Sequence, residues 1–114
     1  MPASVTVLDY GLCNLFNVAR AFAHIGVEVK IVQDPAAADS ADRLVVPGVG
    51  AFKDSMLAVT AKGLDGAIRT FIDHERPFLG ICVGMQILFD TSEEFGEHAG
   101  LGILPGRVKA LSKV

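Results

Sequence analysis

Apolar stretches alternate with amphipathic stretches along the whole chain. Short runs rich in β-branched residues predict buried strands, and longer runs with apolar residues at helical spacing predict helices. The predicted strands are residues 4–9, 27–32, 43–52 (interrupted at Pro47 and Gly48) and 76–81, with further extended chain over 101–111. The predicted helices are residues 15–26, 34–42, 52–74 with a break near Gly63, and 83–90, and residues 91–100 are predicted to form a loop.

Strands that alternate with helices predict a mostly parallel sheet with right-handed crossovers and helices on both faces. The expected fold class is therefore α/β, of the flavodoxin-like kind. In such sheets, ligands bind at the carboxyl ends of the strands. Three glycine-containing stretches fall at those ends, namely "DYGLCN", "PGVGAF" and "GICVGMQ". Their coincidence predicts a functional site at this edge of the sheet.

The composition is that of a globular domain and argues against several kinds of partner. A chain of 114 residues is one domain by length, and 51% hydrophobic against 20% charged residues predicts a packed core. A net charge of −3 without a basic run argues against nucleic acid and anionic membranes as partners. Because the sequence shows neither a leader peptide, nor a membrane-spanning run, nor paired cysteines, we expect a cytoplasmic location.

Cys82 stands at the predicted junction between the fourth strand and the helix after it. Gly80 and Gly84 flank it in the pattern G-x-C-x-G, which matches a nucleophile elbow with cysteine in place of serine. The start of a helix favours the thiolate, which is the reactive form, and the amide of Val83 would face the same space as an oxyanion donor. The alternative is a buried cysteine in a tight turn without a chemical role.

The end of the third strand, "VVPGVGAF", favours the catalytic interpretation. Pro47 has no amide proton and the glycines permit unusual dihedral angles, so this strand cannot end in a regular ladder. We therefore expect the amides near Val49 and Gly50 to be free to bind a substrate oxygen beside the elbow. Alone, the stretch is more typical of an ordinary strand-to-helix loop than of a catalytic site. Next to a thiol, it indicates acyl transfer.

These motifs resemble those of a known family. "PGVGAF" and "LGICVGMQILF" are similar to the oxyanion strand and the nucleophile elbow of class I, or triad, glutamine amidotransferases. "LDYGLCNLFNVARAF" and "GLGILPGRVKAL" narrow the resemblance to the glutaminase subunits of imidazole glycerol phosphate synthases, which serve histidine biosynthesis. The four motifs stand in the order seen in that family, and the resemblance runs from the first strand to the last residue.

The resemblance implies a reaction, a partner and a set of site residues. Cys82 would attack the side-chain amide of glutamine, and the ammonia would pass to a cyclase subunit with a (β/α)₈ barrel; neither a cofactor nor a metal is implied. The implied roles are oxyanion donors at Val49, Gly50 and Val83, glutamine-binding residues at Gly48, Gln86 and Glu94, and cyclase contacts at Asn14 and Asn17. Without the resemblance, Glu94 is equally typical of a solvated loop carboxylate and Asn14 of a plain helix cap.

The chain departs from the family in one respect. In that family the catalytic His and Glu belong to an H-x-E motif far downstream, and this sequence ends at Val114 without one. His98, in the loop after the elbow helix, is the one histidine that is a candidate substitute. We therefore expect residues 1–114 to be the amino-terminal portion of a single amidotransferase domain, to be inactive alone, and to leave an apolar face uncovered.

Two other functions fit part of the pattern. One is a different class I glutaminase, such as that of pyridoxal phosphate synthesis, which is expected to lack the D-Y-G-x-x-N-L opening. The other is a non-enzymatic flavodoxin-like module in which Cys82 is a buried or redox-sensing thiol. In that case the two glycine-rich strand ends would be a coincidence.

Overall fold

The computed structural model describes residues 3–111 of the chain. Within that range the strands are β1 (Ser4–Leu8), β2 (Glu28–Val32), β3 (Leu44–Val46), β4 (Phe78–Gly80), β5 (Phe89–Ser92), β6 (His98–Ala99) and β7 (Leu104–Val108). The helices are α1 (Leu15–His24), α2 (Pro35–Asp39), α3 (Phe52–Ala61), α4 (Leu64–Asp73) and α5 (Val83–Gln86). Strands and helices alternate as far as α5, as the sequence predicts.

Strands β1 to β4 form a parallel sheet in the order β2–β1–β3–β4. β1 pairs with β2 over its whole length, from Ser4 opposite Glu28 to Leu8 opposite Val32. The strand order reverses between β1 and β3, and open α/β sheets bind ligands at such a reversal, beyond the carboxyl ends of the strands. The predicted parallel α/β fold is confirmed, and the topology marks the ends of β1 and β3 as the place for a site.

The hydrophobic core lies on one face of this sheet, beneath α2 to α5. Leu8, Leu44 and Val46 pack there in one cluster with side chains from these helices. The side chains that α4 buries follow the spacing of a single helix face: Leu64, Ala67, Ile68 and Phe71. The packing of these helices on one face therefore fixes the position of α5 relative to the sheet.

The opposite face of the sheet is only partly covered within residues 3–111. α1 packs against β2, yet none of its ten residues is fully buried. Ile31 of β2 and Leu79 of β4 remain 47% and 48% exposed. Parallel sheets normally carry helices on both faces. An apolar part of this face is thus open, as the sequence predicts.

The region after α5 differs from the sequence prediction. The helix predicted over residues 83–90 ends at Gln86, and the loop predicted over 91–100 contains β6 and the second half of β5. β5 pairs antiparallel with β6 and parallel with β7, forming a second sheet. The cause is tertiary, because the carbonyl oxygen of Leu88 accepts the amide of Ile103 at 2.8 Å instead of the amide of a further helical turn.

The helices are short. The longest have ten residues, whereas a helix that spans a bilayer needs about 20 apolar residues. Within residues 3–111 none of the helices has the length and apolar character needed to cross a membrane.

α5 approaches the end of β3 so closely that Gly84 has no room for a side chain. A Cβ atom at this position would overlap the carbonyl oxygen of Val46, a backbone atom that cannot turn away. We expect Gly84→Ala to lower the free energy of unfolding by about 1–3 kcal/mol, the usual cost of overpacking. Chemical denaturation measures the change.

Gly66→Ala is the matched control for this substitution. Gly66 lies inside α4, and a Cβ atom there would meet nothing within 4 Å. Because alanine favours the helix, the control should raise the free energy of unfolding by about 0.5–1 kcal/mol. Similar effects of the two substitutions would contradict the close approach of α5 to β3.

Candidate active site

Cys82 lies at the sharp turn between β4 and α5, where the sequence predicts it. Its backbone has a φ of 56° and a ψ of −122°, a conformation that costs a non-glycine residue strain energy. The residue is exposed. A bent backbone that presents a side chain at the strand-to-helix junction is the geometry of a nucleophile elbow.

The two glycines around Cys82 make this turn possible. A Cβ atom on Gly80 would lie 2.8 Å from the Cα atom of Met85, and one on Gly84 would overlap the Val46 carbonyl. Neither position accepts a side chain without a backbone shift. The predicted reason for G-x-C-x-G, a turn whose neighbours must lack Cβ atoms, is confirmed.

The turn after β3, residues 47–50, lies directly against the elbow and is called the β3 turn below. A Cβ atom on Gly48 would lie 2.9 Å from the amide nitrogen of Gly84. Gly48 is buried in this contact, whereas Val49 and Gly50 are exposed. The structure therefore brings together two of the three glycine-rich stretches that the sequence singles out.

The amide of Val49 is not free in the structure, contrary to the sequence prediction. It donates to the carbonyl oxygen of Leu12, in the turn after β1, at 3.0 Å. Gly50, the next residue, has a φ of +92°, which glycine adopts at little steric cost. Every residue has a main-chain carbonyl, so the sequence could not identify Leu12 as the acceptor. The stretch "DYGLCN" could indicate only that a site lies at the end of β1.

Val83 and Gln86 lie on α5, immediately after Cys82. The amide of Gly84 donates to the Ile81 carbonyl at 3.0 Å, whereas the Val83 amide has no backbone acceptor within residues 3–111. As the first amide of a helix, it is available to a ligand oxygen. Gln86 follows Cys82 by one helical turn and is half-buried.

Glu94 is hydrogen-bonded to the backbone of α3. Its Oε1 atom accepts the amide of Phe52, the first residue of α3, at 2.9 Å. The N-cap residue Ala51 makes no side-chain hydrogen bond, so Glu94 satisfies this helix start from 42 residues away. Glu94 is exposed in the turn between β5 and β6, as the interpretation of a solvated loop carboxylate requires, and it also caps α3. Binding of a substrate stays a prediction for this residue.

Asn14 and Asn17 are exposed at the start of α1. The Oδ1 atom of Asn14 accepts the Asn17 amide at 3.4 Å, which makes Asn14 the N-cap of the helix. The helix-cap interpretation of Asn14 is therefore confirmed. Contact with a partner stays a prediction for both residues.

The described residues place no hydrogen-bonded base on the sulfur of Cys82. His98 lies on β6, and its Nε2 atom is 3.0 Å from the carbonyl oxygen of Phe95. His24 ends α1 and His74 follows α4. Within residues 3–111 there is also no group of three or more His, Cys, Asp or Glu side chains arranged to hold a metal ion. The arrangement places an exposed thiol next to a backbone amide that has no backbone acceptor within residues 3–111, and acyl transfer uses groups of these two kinds.

The sequence is similar to that of known proteins. A family model described as glutamine amidotransferase class-I matches residues 6–109. The imidazole glycerol phosphate synthase subunit HisH of Syntrophotalea carbinolica is 49% identical over 104 residues, which cover 91% of this chain and 50% of that protein. The chloroplastic imidazole glycerol phosphate synthase hisHF of Arabidopsis thaliana is 48% identical over 104 residues, which cover 91% of this chain and 18% of that protein.

The fold is similar to that of solved structures. The crystal structure of a glutamine amidotransferase superposes with a TM-score of 0.77 at 23% identity, covering 92% of this chain and 55% of that one. At this identity the likeness concerns the fold alone. The chain spans about half the length of the HisH relatives it matches.

Cys82 should react with iodoacetamide several-fold faster than Cys13. Cys82 is exposed, whereas Cys13 is half-buried, with its Sγ atom 3.8 Å from the Leu8 carbonyl oxygen. Burial raises the pKa of Cys13 above its ordinary value of 9.0, so near neutral pH this residue is almost entirely the unreactive thiol. Brief alkylation followed by peptide mapping measures the ratio of the two rates.

The denatured chain is the control, because both cysteines should react at similar rates once they are unfolded. In the folded chain, labelling of Cys13 should go on rising as the pH passes its ordinary pKa of 9.0, since the thiolate forms only at higher pH. Equal labelling of the two folded cysteines near neutral pH would contradict the placement of Cys82 on the elbow.

Proposed function

The chain belongs to the class-I glutamine amidotransferase family, and we propose on this basis that it carries the nucleophile of a glutaminase. The observation that supports the proposal most is the strained, exposed Cys82 beside the glycine-rich β3 turn. Backbone strain of this kind costs stability and is concentrated where a side chain has a chemical task. The chain is a homologue of HisH, and the proposed role of the whole domain is to supply ammonia for histidine biosynthesis in the cytoplasm.

In the proposed reaction, the Cys82 thiolate attacks the side-chain amide carbon of glutamine. A C–S bond forms, the C–N bond breaks, and the nitrogen takes up a proton and leaves as ammonia. Water then attacks the γ-glutamyl thioester, the C–S bond breaks, and glutamate leaves while the thiol is restored. The resemblance assigns the proton transfers to the His of the H-x-E motif that longer family members carry downstream.

Two amides are proposed to hold the oxyanion that develops in each step. Val83 offers its amide as the structure stands. Val49 can donate only after its amide leaves the Leu12 carbonyl, through a rotation of the Gly48–Val49 peptide, which Gly48 would accommodate because it has no Cβ atom. The exchange replaces a neutral carbonyl acceptor with a charged oxygen, and hydrogen bonds to charged acceptors are stronger.

Glu94, Gln86 and Gly48 are proposed to hold the substrate. The Glu94 carboxylate uses one oxygen for the Phe52 amide, and its second oxygen would pair with the ammonium group of glutamine. Gln86, half-buried one turn after Cys82, would bind the polar groups of the substrate near the sulfur. With Gly48 as a side-chain-free wall, the pocket would admit the chain of glutamine between α5 and the β3 turn.

We expect the 114-residue chain to release no more ammonia from glutamine than its Cys82→Ser variant does. The chain spans about half of its relatives, and we propose that it is the amino-terminal portion of one amidotransferase domain. Loss of triad members typically lowers the rate by several orders of magnitude. An assay coupled to glutamate dehydrogenase measures the activity.

The positive arm joins this chain to the remaining half of the Syntrophotalea carbinolica HisH subunit and adds a cyclase subunit. This fused protein should hydrolyse glutamine, and Cys82→Ser should abolish the activity without lowering the melting temperature. A folded fused protein that yields no glutamate would contradict the proposed function. Ammonia from the 114 residues alone, lost in Cys82→Ser, would show instead that they contain their own base.

We further propose that a cyclase subunit with a (β/α)₈ barrel docks over the carboxyl ends of β1 and β3. The relatives named above are called subunits or forms of imidazole glycerol phosphate synthase. Ammonia released into water is protonated and lost, so a synthase gains from a protected route to its acceptor. Asn14 and Asn17 follow the end of β1 directly and are exposed there, which makes them the proposed contacts.

In the fused protein, Asn14→Ala and Asn17→Ala should each weaken cyclase binding. Asn14→Ala should also lower the free energy of unfolding by about 1 kcal/mol, because the Asn14 side chain caps α1. Asn17 contributes only its backbone amide to this cap, and Asn17→Ala keeps that amide. Calorimetric titration and thermal melts separate the two effects, with the exposed Lys62→Ala after α3 as the control. Unchanged cyclase affinity in both asparagine variants would rule out this interface.

A further inference from the structure

The side chain of Tyr10 is buried at the end of β1, in the third glycine-rich stretch. It is 1% exposed, and its hydroxyl donates a hydrogen bond to the carbonyl oxygen of Pro47 at 2.5 Å. Pro47 is the first residue of the β3 turn and is itself less than 2% exposed. The bond therefore crosses the reversal of strand order and joins the ends of β1 and β3.

The tyrosine hydroxyl also occupies the space above Gly48. A Cβ atom on Gly48 would overlap this oxygen, so the hydroxyl and the glycine are in direct contact. Ser55 of α3 is also close to the Tyr10 hydroxyl; it is fully buried and has no hydrogen bond of good geometry within residues 3–111. The first two residues of the β3 turn thus lie against a buried hydroxyl.

Tyr10 keeps its proton near neutral pH. Burial raises the pKa of its hydroxyl above the ordinary value of 10.0, and the nearby Ser55 hydroxyl opposes this rise without cancelling it. The hydroxyl is therefore a donor to Pro47 near neutral pH. The other donor near the Pro47 carbonyl is the thiol of Cys13 at 3.9 Å, and a thiol is a weak donor.

The β3 turn divides into a held half and a loose half. Pro47 and Gly48 are buried against Tyr10, whereas Val49 and Gly50 are exposed. The loose half is attached through the amide of Val49, which donates to the Leu12 carbonyl. Any rotation that redirects the Val49 amide must therefore begin at Gly48, at the border of the held half.

We propose that Tyr10 is a positioning residue for the β3 turn, whose hydroxyl fixes Pro47 and the Cα atom of Gly48 so that the turn can move only from the Gly48–Val49 peptide onward. The consequence for catalysis rests on the proposed glutaminase function. There the hydroxyl would not touch glutamine, but it would keep the Val49 amide at a fixed distance from the elbow while the peptide rotates. Loss of the hydroxyl would leave the buried Pro47 carbonyl without a good donor and release the whole turn.

Tyr10→Phe in the 114-residue chain tests the positioning directly, because it keeps the ring and removes the hydroxyl. Amide hydrogen exchange measured by NMR should become about fivefold faster at Val49, the factor that corresponds to one net hydrogen bond. The Val7 amide, in the middle of β1, should exchange as in the original chain. The matched control is Cys13→Ala, which removes the sulfur near the same carbonyl and should leave Val49 exchange unchanged.

Unchanged exchange at Val49 in Tyr10→Phe would overturn the proposal. A rise of similar size at Val49 and Val7 would overturn it as well, because it would show that the hydroxyl stabilises the fold without positioning the turn. This arm needs no glutaminase activity, so it stands or falls separately from the proposed function.

A second arm tests the catalytic consequence in the fused protein. Tyr10→Phe should lower kcat while KM stays within about twofold, because the hydroxyl acts on the oxyanion donor and not on bound glutamine. If KM rises and kcat holds, Tyr10 shapes the substrate pocket and the proposed role is wrong. If the unsubstituted fused protein has no activity, the glutaminase proposal fails while the exchange measurement still decides the role of Tyr10.

Discussion

The position of Cys82 depends on the packing of α5 against the backbone at the end of β3. Gly84 lies against the Val46 carbonyl, and Gly48 lies against the Gly84 amide, so the two segments meet without side chains between them. Each missing Cβ atom brings the strand end and the elbow closer than any other residue would allow. The distance between the sulfur and the β3 turn is therefore set mainly by backbone contact, and changes in side chains elsewhere have little means to adjust it.

The β3 turn and the residue just beyond it are supported by three hydrogen bonds from two separate parts of the chain. Tyr10 holds its first carbonyl, Leu12 holds the Val49 amide, and Glu94 holds the amide of Phe52 just beyond it. Two of these supports come from the turn after β1, and the third comes from the loop between β5 and β6. The turn after β1 thus affects the β3 turn through two hydrogen bonds, and the loop between β5 and β6 acts just beyond it through one. Small movements of either loop would reach the site without passing through the core.

Local patterns in the sequence predicted the parallel sheet and the elbow, since runs of β-branched residues and a cysteine between two glycines are signals carried by neighbouring residues. The errors fall where a distant partner decides. Residues 83–90 have a helical pattern, but Leu88 bonds to Ile103 and the helix ends at Gln86. The Val49 amide looked free because its acceptor is a main-chain carbonyl on another strand end, and such an acceptor is independent of residue type.

The strained backbone at Cys82 lowers the stability of the fold, whereas the proposed chemistry requires the thiol that this backbone presents. Glycine would adopt a φ of 56° and a ψ of −122° at little cost, whereas any other residue there costs on the order of 1–3 kcal/mol. A lineage selected for folding alone would therefore exchange the thiol for a hydrogen atom and gain stability. The cysteine at this turn therefore indicates a requirement of function and not of folding. If that function were no longer selected, we expect Cys82 to be the first residue replaced.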